Sequence, residues 1–225
     1  MPTNSKPRAL LSWSGGKDSA FALHVAQQQN AVEIVGLLTT INGAFSRVAM
    51  HAVREELVDR QAAAVGLPLW KVPLPWPCPN DAYEVAMRHV VQRAVNDGIS
   101  VMVFGDLFLQ DIRTYRERQL LGTGLIPLFP LWERDTAALA REMLATGQRA
   151  MLTCVDPEQL DATFCGRHFD AALLAALPTS VDPCGERGEF HTFVWDGPAF
   201  RHPVPIALGE TVERDGFVFT DLHPA

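Results

Sequence analysis

Four short apolar runs, at residues 8–13, 32–39, 69–72 and 100–104, are interleaved with longer stretches that carry polar residues on one side only. The runs are apolar throughout and do not alternate. A strand buried on both faces needs that pattern, so they predict a parallel sheet covered on both sides. Helices are predicted between them at 17–29, 51–65, 81–96 and 111–121, and Gly66 and Gly98 follow two of them as C-caps. Because such crossovers are right-handed, the expected fold is a doubly wound α/β sheet. Asn42-Gly43 marks 40–50 as a loop, and four prolines between 73 and 79 argue against a regular element there.

The rhythm changes at 127–132, which predicts an N-terminal domain over 1–130 and a smaller α+β domain over 131–225. The second part reads as a helix at 136–145, a strand at 149–155 and a helix at 166–176. A polar loop at 182–188 and β signals at 190–195 and 205–208 follow, with a hairpin across Asp215-Gly216. A chain of 225 residues with 48% hydrophobic content can bury a core without covalent staples. The formal charge of −7 argues against a nucleic-acid partner, which needs a basic footprint. Cys78, Cys154, Cys165 and Cys184 form no CxxC and read as reduced thiols, although Cys165 and His168 fit one turn of the predicted helix. The polar N-terminus has no apolar signal core and no run is long enough to cross a bilayer, so the expected address is the cytoplasm and no membrane partner is expected.

The strongest chemical signal is Ser14-Gly15-Gly16-Lys17-Asp18-Ser19, placed between the first strand and the first helix. Two glycines let backbone approach a ligand, the first helical N–H groups face the same space, and the helix dipole favours an anion. Ser14 and Ser19 bring hydroxyls and Lys17 a mobile positive charge. Asp18 beside an anion makes sense as a Mg²⁺ ligand or as a helix cap. The ordinary alternative is a Gly-Gly turn before a capped helix. A second signal, 182–193, packs Glu186, Glu189 and His191 with two glycines before a strand. If the chain is extended there, Glu189 and His191 share a side and could bind a metal or ammonium, or transfer protons. A polar loop leading into an edge strand would look the same. Asp106 ends the fourth strand, where such sheets expose their sites. Arg113 and Arg116 fall three apart on the next helix, while Arg113 and Glu117 at i,i+4 also suit a surface pair.

The Ser-Gly-Gly-Lys-Asp-Ser segment resembles the PP-loop of ATP pyrophosphatases, whose fold is adenine nucleotide α-hydrolase-like. Together with Cys184-Gly185-Glu186-Arg187-Gly188-Glu189, Gly105-Asp106, Arg113, Pro130-Leu131-Trp132 and Asp196-Gly197-Pro198, it is similar to the diphthine–ammonia ligase family, in a bacterial-type branch. That resemblance covers nearly the whole chain and implies an ATP-binding domain followed by a substrate-binding domain. It implies Mg·ATP on Ser12, Ser14, Gly15, Gly16, Lys17, Asp18 and Ser19, with Thr39 and Met50 near the adenine. A small-molecule or protein-borne carboxylate would be adenylated and then amidated by ammonia, with Lys17, Asp106, Arg113, Glu186, Glu189 and His191 as the chemical residues. Family ligases of archaea and eukaryotes read Gly-Glu-Tyr-Glu-Thr where this chain has Gly-Glu-Phe-His-Thr, which bears on the substrate more than on the reaction. The rival readings are a PP-loop tRNA-modifying enzyme and a nucleotide sensor without turnover. The C-terminal strands leave a homodimer open.

Overall fold

The computed structural model of the protein describes residues 5–45, 47–48 and 53–225. Met50 and the start of the helix expected from residue 51 lie outside the described residues. The first sheet contains β1 (Arg8–Ser12), β2 (Glu33–Asn42), β4 (Leu69–Leu74), β5 (Val101–Val103) and β6 (Ile126–Leu128). These five are mutually parallel in the order β4-β2-β1-β5-β6, and β3 (Arg47–Val48) adds an antiparallel pair to the end of β2. Helices α1 (Lys17–Gln29), α2 (Glu55–Val65), α3 (Asn80–Asn96) and α4 (Gln110–Leu120) complete the doubly wound layout.

Strand register explains the unbroken apolar runs. On β1, Ala9 and Leu11 join one buried cluster with Phe21, Leu37 and Leu57, while Leu10 joins another with Leu38, Met102 and Leu120. Successive side chains of a strand point to opposite faces, and here both faces are covered.

Three local expectations change. β4 continues through Pro73 to Leu74, because it pairs on one side only, with β2, and an edge strand can spare one N–H. β2 runs on to Asn42 and is met by β3, within the segment expected to be loop. The change of rhythm near 127 contains β6, a further parallel strand beside β5.

The C-terminal part holds α5 (Thr136–Ala145), β7 (Arg149–Val155), β8 (His168–Phe169), α6 (Ala171–Ala176), β9 (Phe190–Asp196), β10 (Ile206–Arg214) and β11 (Phe217–Pro224). Its sheet is antiparallel, with β7 paired to β8, β9 and β11. The helix expected over 166–176 is instead a short strand and a six-residue helix. Gly166 sits at φ +80°, where a right-handed helix cannot pass, and the Asp170 carboxylate caps α6 by accepting from the Leu173 N–H at 2.7 Å. Cys165 and His168 therefore do not share a helix turn. Asp215 (φ +53°) and Gly216 (φ +82°) make the β10–β11 hairpin turn. All four cysteines are free thiols.

The two sheets meet at the loop after β1. The Val194 N–H on β9 donates to the Gly15 carbonyl (2.9 Å), and one apolar cluster continues from Phe21 and Leu57 to Phe190 and Phe193. Gln61 on α2, 0% exposed, fastens the junction. Its amide donates to the carbonyls of Gly15 (2.9 Å) and Val194 (2.6 Å) and accepts from Trp13 Nε1–H (3.0 Å). Gln61→Leu takes the Gln61 bond from the Val194 carbonyl and from Trp13 Nε1–H, while the Gly15 carbonyl keeps the Val194 N–H; a buried group so orphaned costs about 1–3 kcal/mol. Partial rearrangement reduces the sum, so urea denaturation should show a loss of about 2–4 kcal/mol.

Candidate active site

A cavity of about 250 Å³ opens where the strand order reverses, outside the carboxyl ends of β1 and β5, as doubly wound sheets require of a ligand site. Ser12, Ser14, Lys17, Asp18, Ser19, Asp106, Glu186 and His191 line it, and all eight were expected from the sequence. Gly105 brings the end of β5 against the start of α1. A Cβ there would lie 3.0 Å from the Ser19 nitrogen and from the Asp18 backbone carbon.

The glycine loop is more committed than its sequence suggests. The Gly16 N–H donates to Ser14 Oγ (3.2 Å) and the Lys17 N–H to Thr192 Oγ1 on β9 (3.0 Å), so neither amide is left for a ligand. Ser19 Oγ donates to the Gly16 carbonyl (2.9 Å) and lies 3.3 Å from Ser14 Oγ. Hydroxyls, rather than those two amides, are what the loop presents. Gly15 holds φ +79° over Gln61, where a Cβ would come within 2.7 Å of the Gln61 oxygen.

Lys17 is not mobile. Its side chain is 3% exposed, bridges Asp18 Oδ2 (2.8 Å) and the Cys184 carbonyl, and lies over the rings of Phe190 and Phe169. Burial alone would lower its pKa, but the neighbouring Asp18 carboxylate and, further off, Glu186 outweigh that and hold it above its ordinary value. The ammonium thus clips the N-terminal part to the 182–188 loop. Asp18 does not cap α1, whose N-cap is Gly16 with no side-chain bond. Its Oδ1 is buried with no hydrogen-bond partner among the described residues, and the same holds for Asp106 Oδ2.

The two glutamates of the second signature divide their work. Gly185 (φ +65°) and Gly188 (φ +88°) bend the loop, and a Cβ on Gly185 would meet the Phe190 carbonyl oxygen at 2.9 Å. Glu186 enters the cavity and accepts from the Leu107 N–H (2.8 Å). Burial, assisted by the charges of Asp18 and Asp106, pushes its pKa up to about 7. Glu189 turns the other way. It is 1% exposed, and its two oxygens accept from the N–H groups of Asp182 (2.8 Å) and Arg187 (2.9 Å), so it builds the loop and does not line the cavity. The expectation that Glu189 and His191 act from one side is therefore corrected. The bend at Gly188 and the backbone demand for an acceptor take the Glu189 carboxylate away. His191 does line the cavity, and burial, with the Lys17 charge nearby, lowers its pKa to about 4, leaving the ring neutral at physiological pH.

Arg113 is placed elsewhere than expected. It pairs with Glu117 at 2.7 Å and packs over Phe129 and Trp132, outside the cavity lining. Arg116, one turn on, takes the cavity position, with Nε 3.4 Å from Asp106 Oδ2 and its guanidinium 4.8 Å from the centre of the Phe104 ring. Helical phase alone separates the two arginines, and the sequence does not reveal which phase faces the sheet end. Thr39 is buried on β2 with Oγ1 unpartnered among the described residues, and it does not line this cavity.

Comparison with known proteins finds matches to both halves of the chain. Residues 7–123 match the diphthamide synthase N-terminal domain and residues 135–220 the diphthamide synthase C-terminal domain. The diphthine–ammonia ligase of Danio rerio is 32% identical over 256 aligned residues, covering 93% of each chain. The Homo sapiens protein of the same name is 27% identical, over 93% of this chain and 90% of its own. That of Schizosaccharomyces pombe is 25% identical over 89% of this chain, which spans only 36% of that longer protein. With both halves matched in order, the chain belongs to the diphthamide synthase family and is an ATP-dependent ligase of the kind that forms carbon–nitrogen bonds.

Proposed function

We propose that the protein activates a substrate carboxylate as its adenylate and amidates it with ammonia, the second substrate in the relatives' name. A carboxylate oxygen bonds to the α-phosphorus of ATP, and pyrophosphate leaves with the electron pair of the broken P–O bond. Ammonia then bonds to the acyl carbon, AMP departs with its electron pair, and one proton is released. The observation that carries this reading is three acids on one cavity: Asp18, whose Oδ1 is buried without a hydrogen bond among the described residues, Asp106, whose Oδ2 has only the Arg116 ion pair at 3.4 Å, and Glu186, whose pKa burial raises to about 7.

The polyphosphate tail fits against the Ser12, Ser14 and Ser19 hydroxyls at the start of α1, where the helix dipole also favours an anion. Asp18 and Asp106 would hold Mg²⁺, which would neutralise phosphate charge. Among the described residues no three His, Cys, Asp or Glu side chains close a metal site by themselves. That suits an ion that keeps water and phosphate oxygens as most of its ligands. Glu186, with a pKa of about 7, is matched to taking a proton from the attacking amine. His191, neutral, offers that amine a hydrogen bond without adding charge. The substrate domain is proposed to begin near residue 131, and Lys17 to act by fixing the Asp18 carboxylate.

Diphthine-bearing protein, the acceptor in the relatives' name, is the first acid to present. In a coupled pyrophosphate-release assay with ATP and ammonium, Asp18→Asn should cut turnover by about 10²–10³, the scale seen when one charge-stabilising group is removed. Unchanged turnover in that variant defeats the assignment. Nucleotide binding without pyrophosphate release by the wild type, with every acid offered, defeats the ligase reading and leaves a sensor.

A further inference from the structure

A second cavity, about 310 Å³, lies on the other side of Phe104, enclosed by the sheet, α3 and α4. We propose that it receives the apolar body of the organic acid that the enzyme activates, with the acid's carboxylate held at Arg116; this rests on the ligase reading above. Leu10, Leu38, Met87, Val91, Met102 and Leu120 make most of its wall. Its volume falls at the small end of the range for small-molecule sites.

The cavity has the chemistry of an anion with an apolar tail. Among the described residues, Arg88 and Arg116 are its charged lining residues and no Asp, Glu, Lys or His lines it, in a chain whose formal charge is −7. A cationic or zwitterionic tail would meet two guanidinium groups there, whereas a hydrocarbon tail with a carboxylate head would not be opposed. α3 is incompletely packed over the cavity. Of its seventeen residues only Ala94 is fully buried, although a helix lying on a sheet normally buries a whole apolar stripe. Met87, Val90 and Val91 supply that stripe; they are only partly buried against the cluster of Leu10, Leu38 and Met102, and they also line the cavity.

Phe104 and Arg116 line both cavities, so they form the wall between the apolar space and the reaction space. Arg116 Nε is buried with no hydrogen-bond partner among the described residues. It forms an ion pair with Asp106 Oδ2 at 3.4 Å, an oxygen that likewise has no hydrogen bond among the described residues. A carboxylate arriving from the apolar side would give Arg116 Nε a hydrogen bond in place of its ion pair with Asp106 and leave Asp106 to the metal, with the acid's oxygens at the edge of the space proposed for the phosphates. Arg88, whose acid neighbour Glu84 is 3.8 Å away, sits at the exposed end of the same cavity.

The test is calorimetric titration of the full chain with straight-chain monocarboxylates from butanoate to decanoate and with 3-phenylpropanoate. ATP affinity and pyrophosphate release are followed in parallel. Wild type is compared with Met87→Trp and Val91→Phe, two ways of filling the cavity from α3, so that a fold defect in one does not decide the outcome. The expected result is that at least one acid binds the wild type and binds on the order of tenfold more weakly, or not at all, to both filled variants. ATP affinity should be unchanged, and acid-stimulated pyrophosphate release should fall with acid binding. The proposal is overturned if none of these acids binds, if binding survives both substitutions, or if filling the cavity leaves pyrophosphate release untouched. Turnover with diphthine-bearing protein but with none of the small acids would sink this proposal and keep the ligase reading. Tight acid binding without pyrophosphate release from any acceptor would remove the acceptor role and the ligase reading together.

Discussion

Replacing Lys17 by methionine is expected to cost about 3–5 kcal/mol of stability, the range for breaking a buried ion pair from one side. The loss follows from position. Lys17 is buried against Asp18, against the Cys184 carbonyl and over two phenylalanine rings, so its removal orphans an acid and a carbonyl at the junction of the two sheets. Urea denaturation measures the loss directly. The double variant Lys17→Met/Asp18→Asn should recover much of it, because no buried charge is then left unpaired, although the Cys184 carbonyl still lacks its donor. If the single variant loses less than about 1 kcal/mol, the ordinary scale of a surface pair, Lys17 is a surface-like residue and the clip does not exist. Turnover should fall in both variants, since each disturbs the Asp18 carboxylate.

Glu186→Gln should separate stability from activity in opposite directions. The folded protein holds the Glu186 proton up to about pH 7, whereas an ordinary glutamate releases it near 4.5. Between those values the folded state binds more protons than the unfolded chain. The stability this proton brings is fully present below pH 4.5 and is lost as pH rises through 7. Glutamine mimics the protonated group at every pH and can still accept from the Leu107 N–H. The variant should therefore match the wild type near pH 4 and exceed it by about 2–3 kcal/mol above pH 8, which for a chain of this size raises Tm by roughly 5–10 °C. Under the proposed mechanism the same substitution removes the proton acceptor, so amide formation should drop sharply, and wild-type activity should decline on the acid side of pH 7. Equal melting curves at pH 8 would show that the Glu186 carboxyl is not held protonated by its surroundings.

Both expectations concern residues that stood out in the sequence, but for different reasons than the sequence suggested. From sequence, Ser-Gly-Gly-Lys looks like a cradle and implies that Lys17 is a mobile charge for a phosphate. Its side chain instead turns inward, since β9 and the 182–188 loop approach from a part of the chain more than a hundred residues away. Glu186 and Glu189 are the same residue type three positions apart, yet one faces the cavity and the other satisfies two loop amides. Gly185 and Gly188 decide that division by permitting the bends, which no periodicity rule encodes. Gln61 had no sequence signal at all. It is one polar residue on an amphipathic helix until three groups from two other segments converge on it.

What the amino-acid order determined by itself was local and periodic. Apolar runs with both faces covered dictated parallel strands, the helix over Lys17–Gln29 followed from the glycine turn before it and its apolar side, and Asp215-Gly216 specified a hairpin turn. These depend on neighbours within a few residues, where sterics and hydrogen bonding act regardless of the rest of the chain. Tertiary structure alone decided which arginine of α4 reaches the cavity, whether a charge is buried or solvated, and that an apolar space adjoins the polar one across Phe104. Those outcomes depend on helix phase and on the approach of distant segments, and they set desolvation and partner geometry, the quantities on which the chemistry of the site turns.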